Sequence, residues 1–240
     1  MIEIWHSQVY SPSQSRLAYE NIYMEKGIRQ LDSFYLWLLG LLSPQTGDRL
    51  LDVACGEGVL VKFAQARGVM AYGIDLSCTA IHRARQNITD GTLLVGDGTT
   101  LPFPDEAFDY VTCIGSLEHY MDPVAGAREI RRVLRVGGKA CILLPNTFSL
   151  LGNVMYAWRH GDIFDDGQPI QRYHTRWGWQ RLLEQGDLRV LRVVKYEVAW
   201  PQTWADRWWY LRKLRKIGHL LAGLVVPLNL ANCLVYLCTR

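Results

Sequence analysis

Apolar residues recur three and four positions apart through Leu31, Phe34, Tyr35, Leu38, Leu39 and Leu42, so the first forty or so residues read as helical until Ser43-Pro44 stops the pattern. The period then shortens. Residues 49–54 (RLLDVA) form a short apolar strand, CGEG is a turn, and 59–67 is a helix closed by Gly68. A second unit repeats the plan: a strand at 69–74 ending in Asp75, then a helix capped by Ser77 and running to about Asn87. A third strand at 92–95 ends in Gly96-Asp97-Gly98, and the prolines at 102 and 104 make the next stretch a loop. A strand at 110–114, an amphipathic helix at 123–135 and a strand at 139–144 follow, with Gly137-Gly138 between the last two. Strict alternation of this kind predicts an α/β fold, a doubly wound and mostly parallel sheet with helices on both faces. Beyond Pro145 the pattern loosens into helices at 150–159 and 175–185, a sixth strand at 188–198 and a seventh at 232–238, with an insertion between those two strands. The expected division is an N-terminal helical cap at 1–46 and one domain at 47–240, in which 200–230 is an inserted lid.

Composition changes this picture in two places. A net charge of +3 over 240 residues is too small to commit the molecule to nucleic acid or an anionic surface, so charge has to be read locally. Six cysteines without a CxxC pair, and an N-terminus without the basic-then-apolar layout of a signal peptide, point to reduced thiols and a cytoplasmic location. The first oddity is four of the nine tryptophans, Trp200, Trp204, Trp208 and Trp209, within ten residues. The second is the apolar run 217–238, long enough by count for a bilayer core of about 30 Å. His219, Pro227, Asn229 and Asn232 interrupt it, which favours a helix followed by a strand over a membrane span.

In doubly wound sheets a ligand lies outside the carboxyl ends of the strands, and here each of the first three ends carries a marked residue. The first ends in Asp52, followed by a turn with Gly56 and Gly58 that lets backbone approach a ligand. Asp75, seventeen residues after Gly58, is placed to accept both hydroxyls of a ribose. Asp97, between two glycines, is placed to accept from an exocyclic amine such as that of adenine. Singly, each is as readily a turn or a helix cap. Three in order point to a nucleoside ligand. The nicotinamide and flavin fingerprint G-x-G-x-x-G is broken at Val61, and Asp52 with Glu57 would repel a pyrophosphate and suit a cation.

At these residues the chain resembles the class I S-adenosylmethionine-dependent methyltransferases, within them the type 11 group similar to quinone-biosynthesis methyltransferases. LLDVACGEG is similar to the first motif, GIDLS to the second, GDGTTLPFPDEAFDYVTCIGSLEHYMDP to the third and fourth, and REIRRVLRVGGKACILLPN to the helix and strand that follow, over about 48–146. The resemblance implies a Rossmann-like seven-stranded fold and S-adenosyl-L-methionine as the methyl donor. It implies that Asp52 and the backbone of Ala54, Cys55, Gly56 and Gly58 hold the methionine part. Asp75 would hold the ribose, Leu76 would flank the adenine, Asp97 with Gly98 would read its amine, and Cys113 with Ile114 would line the sulfonium side. After Asn146 it is loose, so acceptor identity does not carry over.

By the same resemblance the segment Gly115-Ser-Leu-Glu118-His119-Tyr120 faces the transferable methyl group, with Glu118 and His119 as catalytic candidates. Related quinone O-methyltransferases hold a metal with an extra glutamate there. Gly115 stands at that position, so no metal is expected. His119 is either a general base for a hydroxyl acceptor or a group that only positions the segment. The insertion sets Trp208, Trp209 and Tyr210 beside Arg212, Lys213, Arg215 and Lys216 and then the apolar 220–226, which describes a packed lid or an element facing a lipophilic acceptor or a membrane surface. Nucleic acid is disfavoured by the slight overall charge. SLEHY in place of the N/D-P-P-Y signature speaks against methylation of base or glutamine amino groups. The expected activity is methyl transfer to a hydroxyl of a small lipophilic acceptor, with a non-catalytic cofactor-binding scaffold as the competing class.

Overall fold

In a computed structural model, which describes residues 1–5, 11–86, 88 and 92–240, strand and helix alternate from Arg49 to Pro145 as the periodicity predicts. The chain opens with β1 (Ile2–Trp5), α1 (Pro12–Glu25) and α2 (Asp32–Leu42), and continues through β2 (Arg49–Val53), α3 (Val59–Gln65), β3 (Met70–Asp75), α4 (Cys78–Arg85) and β4 (Leu93–Val95). Next come β5 (Phe108–Ile114), α5 (Pro123–Val133), β6 (Leu134–Pro145), α6 (Met155–His160), β7 (Ile170–Tyr173) and α7 (Arg176–Gln185). The chain ends with β8 (Arg189–Tyr196), α8 (Trp204–Leu211), α9 (Leu214–Val225) and β9 (Cys233–Thr239).

Seven strands form one sheet in the order β4-β3-β2-β5-β6-β9-β8, parallel throughout except that β9 runs against both its neighbours. Strand order reverses between β2 and β5, and the carboxyl ends of the parallel strands open there. Successive side chains of β6 alternate between two cores: Ala140, Ile142 and Leu144 join one, with Trp179 of α7 and Ile130 of α5, while Cys141 and Leu143 join the other, with α2, α3 and α4. Burial on both faces is why these strands read as unbroken apolar runs.

Three features differ from the sequence expectation. The N-terminus is not wholly helical: β1 pairs antiparallel with β7 in a separate two-stranded sheet, and four-residue strands leave too little period to read. The helix expected at 123–135 stops at Val133, and Leu134 already opposes Phe108 in the sheet, with a register shift before Tyr110. The stretch expected as one helix at 150–159 is broken at Gly152 (φ −110°, ψ −106°), so α6 starts only at Met155. The expected helix end at Asn87 lies outside the described residues.

The insertion folds onto the β8–β9 end. Asp206 of α8, itself buried, accepts from the backbone N–H (2.8 Å) and hydroxyl (2.5 Å) of Ser33, which fastens α8 to the start of α2. The Lys195 ammonium donates to the carbonyls of Gly223 (2.9 Å), Leu224 (3.0 Å) and Val226 (2.7 Å), closing the C-terminal end of α9. Within the 220–226 run only part is buried: Leu220 and Val226 pack inward, whereas Leu221, Leu224 and Val225 face outward at 55%, 57% and 82% exposure. Among the described residues no helix is long and apolar enough to cross a membrane.

Candidate active site

The strand ends converge on one cavity of about 1150 Å³. Eleven of the thirteen residues named from the sequence line it: Asp52, Ala54, Cys55, Gly56, Asp75, Leu76, Asp97, Gly98, Ile114, Glu118 and His119. The other two do not. Gly58 heads α3 with its α-carbon turned towards Ile88 and Ala84, where a Cβ would lie 2.6 Å from the Ile88 δ1 carbon, so it serves packing between helices. Cys113 is fully buried in the apolar core, because alternation along β5 turns Ile114 to the cavity and its neighbour away from it.

The turn after β2 is held in left-handed conformations at Ala54 (φ 58°) and Gly56 (φ 53°). For Ala54 this is a costly backbone state, and the surrounding bonds enforce it. The Asp75 carboxylate does so directly, accepting from Gly56 N–H (2.8 Å) on one oxygen and from Ser77 N–H (2.9 Å) on the other. Asp52 accepts from the Thr112 hydroxyl at 2.6 Å. Burial pushes Asp52 up to about 7 despite that bond, and Asp75 up to about 6 despite its backbone donors. Two desolvated carboxyls on one wall favour a positively charged ligand. Asp97 takes both bonds from Thr99, N–H and hydroxyl, on the same oxygen at 2.8 Å, which leaves the second oxygen to the cavity side.

Glu118 and His119 sit on the one-turn 3₁₀ helix Leu117–His119 that follows β5. The His119 Nδ1 is bonded to the carbonyl of Ile170 on β7, so that nitrogen carries the proton and Nε2 is left as a lone pair. Nε2 lies 3.7 Å from Glu118 Oε1. Burial lowers the His119 pKa, keeping the imidazole neutral, and pushes the Glu118 carboxyl up to about 8, so at neutral pH it is mostly protonated. Among the described residues the buried Glu118 Oε2 has no hydrogen-bond partner. A Cβ at Gly115 would fall 3.8 Å from Glu118 Oε1, which marks where a further side chain would join this pair.

Sequence reasoning missed the roof. Ser15, Tyr19 and Tyr23, spaced by four, lay one stripe of α1 across the cavity, and the Tyr23 hydroxyl stands where a Cβ at Gly56 would be, 2.7 Å away. Glu20 anchors this roof, accepting from the Ser77 hydroxyl (2.9 Å), Cys78 N–H (2.6 Å) and Thr79 N–H (3.0 Å) at the start of α4. Its partial burial acts to raise the carboxyl, but these bonds outweigh it and hold it at about 2. Phe34, Tyr35, Tyr173 and Tyr196 supply further aromatic wall, with Arg159, Lys216 and His219 also lining the cavity. The four-residue spacing on α1 was the one available signal. The aromatic wall, gathered from α2, β7 and β8, had none.

Residues 51–142 match the family model described as a methyltransferase domain. Over 112 residues the chain is 37% identical to a 27-O-demethylrifamycin SV methyltransferase of Amycolatopsis mediterranei, covering 44% of this chain and 41% of that protein. It is 32% identical over 146 residues to a ubiquinone/menaquinone biosynthesis C-methyltransferase of Stenotrophomonas maltophilia, covering 57% and 56%. The chain thus spans from about two fifths to just over half of the length of these curated relatives. Among solved structures, a Haemonchus contortus phosphoethanolamine N-methyltransferase 2 in complex with S-adenosyl-L-methionine shares the fold at a TM-score of 0.62 and 17% identity, over 96% of this chain and 57% of that one. The matched stretch is the one that carries Asp52, Asp75, Asp97 and the turn of His119, and over those residues this chain is similar to a methyltransferase domain.

Proposed function

We propose that the protein binds S-adenosyl-L-methionine along the β2–β4 wall and transfers its methyl group to a hydroxyl of a small, lipophilic acceptor. The observation that carries this reading is that three strand-end carboxyls and an unprotonated His119 Nε2 share one cavity, whose volume exceeds that usual for a single ligand, about 300–1,000 Å³. The residues fit the donor. Gly56, held in a left-handed conformation, brings bare backbone to the cavity wall, Asp97 keeps an oxygen for an amine, and desolvated Asp52 and Asp75 gain from a nearby sulfonium.

When bound, the sulfonium supplies an electrophilic methyl group. The chain contributes position and proton handling. His119 Nε2 accepts the hydroxyl proton as the acceptor oxygen becomes nucleophilic, and the carbonyl of Ile170 stabilises the ring by taking the Nδ1 proton's bond. Glu118, protonated and partnerless at Oε2, holds the acceptor by donating to it. Phe34, Tyr35 and Tyr196 supply apolar surface against which a lipophilic body lies, and the tyrosines of α1 close the donor side from water.

The acceptor's source, in this reading, is a bilayer. Trp204 and Trp208 are one turn apart on α8 and 74% and 59% exposed. Arg207 stacks on Trp204 at 5.0 Å and Lys213 on Trp209 at 4.6 Å, and the outward Leu221, Leu224 and Val225 continue the apolar face. Indole and cation together suit an anionic interface.

The test is incubation with methyl-labelled donor and an extract of lipids, followed by product mass analysis, alongside sedimentation with anionic and neutral liposomes. Label on an oxygen of an apolar product, and pelleting with anionic liposomes that Trp204→Ser/Trp208→Ser abolishes, are expected. Donor bound without any label transferred, or label on a polar acceptor only, overturns the reading.

A further inference from the structure

Arg172 is a guanidinium with only 3% of its surface exposed, on a four-residue strand at the edge of the molecule. An ion buried to that degree is unfavourable unless its donors are spent well. They are. Nε donates to Glu3 Oε1 at 2.7 Å, directly opposite it in the β1–β7 register, and the second oxygen of Glu3 accepts from Trp5 Nε1 at 3.2 Å. The Trp5 ring covers the guanidinium at 5.5 Å. Nη1 donates to two carbonyls, that of Glu118 at 3.1 Å and that of Tyr120. Those carbonyls belong to the residues on either side of His119. Two residues earlier on the same strand, the Ile170 carbonyl holds the His119 ring.

From this juxtaposition we infer that Arg172, neutralised by Glu3 of the N-terminal strand, is the positioning residue of the reaction centre, clamping the backbone on both sides of His119 so that its Nε2 points into the acceptor half of the cavity. The chain's first strand is thereby part of the site's construction although it lines none of it. A lysine cannot reproduce the clamp: it carries the charge but not a planar fork able to serve Glu3 and two carbonyls together. The inference rests on His119 facing the acceptor, as proposed above, but its first consequence is the pose of the imidazole, which is measurable without turnover.

The charged and titratable groups around that ring are Glu118, Asp166 and Arg172. The experiment is NMR of histidine-labelled protein, with the His119 signals assigned by His119→Gln, together with methyl-transfer kinetics. In Arg172→Lys the ring is expected to loosen towards the hydrated cavity, raising its proton affinity about threefold. Turnover is expected to fall about tenfold or more, with the donor KM within about twofold. Glu3→Gln keeps the guanidinium and its carbonyl bonds but removes the counter-charge, and is expected to lower the His119 proton affinity about twofold, with a smaller loss of turnover. A merely structural role lowers thermal stability in both variants and leaves the His119 signals where they are. That result, in Arg172→Lys or, should that variant not fold, in Glu3→Gln, overturns the inference. A wild type with no methyl transfer whose His119 signals still move with Arg172→Lys overturns the proposed reaction and leaves the clamp standing.

Discussion

The two halves of the cavity are built by different rules. On the proposed donor side, Asp52, Asp75 and Asp97 are each delivered by the strand they end, and the bonds that fix them come mostly from the same or an adjacent turn: Ser77 for Asp75, Thr99 for Asp97. On the proposed acceptor side, Glu118 and His119 also follow their strand, but what fixes and surrounds them is distant. The His119 ring is held from β7, the aromatic wall comes from α2, β7 and β8, and the lid is pinned to Ser33 across 173 residues of chain. A site assembled by a strand and its own turn keeps its form wherever the sheet forms. One assembled from distant segments can be rebuilt for a new acceptor without disturbing the donor, which is how loops on a fixed scaffold diversify function.

Substitutions on each side should separate the halves. The largest effect is expected at His119. His119→Ala should lower turnover about a hundredfold while leaving the donor affinity within about twofold, and should remove the acidic limb of the rate profile. Because burial lowers this pKa, the wild-type limb should fall below the ordinary histidine value of 6.5, with the rate rising as pH passes through it and falling again above about 8, where Glu118 loses the proton it donates. A stopped assay across pH 5 to 9, paired with calorimetric titration of the donor, reads both. Next is Asp75→Ala, expected to weaken donor binding at least tenfold, about 1.5–3 kcal/mol for a charge-assisted bond, and to leave the affinity for acceptor unchanged. Equal loss on both sides would join the two halves into one unit.

The smallest effect is expected at the roof. Glu20→Gln removes a charge from the start of α4 and should cost about 0.3–1 kcal/mol of stability. The folded-state carboxyl is held at about 2, below the ordinary 4.5, so the contribution is fully present above pH 4.5 and is lost as pH falls towards 2. Thermal unfolding at pH 7 and pH 3 checks it: the difference between wild type and variant should be present at the first and shrink at the second.

What could be read from the sequence follows the same division. The strand-end acids were legible because a carboxylate between an apolar run and a glycine turn announces its place in an α/β sheet. Gly58 and Cys113 were assigned to the site by the resemblance, and neither lines the cavity: alternation along β5 turns Cys113 into the core, and Gly58 packs against Ala84 and Ile88. The roof left only the four-residue spacing on α1 as a signal, and the clamp left none. Glu20 meets Ser77 across 57 residues and Arg172 meets Glu3 across 169, and no periodicity within either segment encodes its partner. For the lid, the apolar count was readable but the direction was not: 220–226 had to bury something, yet three of its side chains look outward.

The fastening at Ser33 has a mechanical consequence. Its backbone and hydroxyl hold Asp206 of α8, and its hydroxyl also receives the N–H of Gln202 at 2.6 Å. The next two residues, Phe34 and Tyr35, are cavity wall, and Phe34 leans on Tyr196 with ring centroids 4.8 Å apart. The outward tryptophans of α8 and the inward aromatics of α2 therefore lie in series on one short, stiff lever whose fulcrum is a single serine. Under the proposed docking, the force with which a bilayer grips Trp204 and Trp208 is borne at that fulcrum and delivered to the wall that an acceptor must pass, so adhesion outside and aperture inside are set by the same joint.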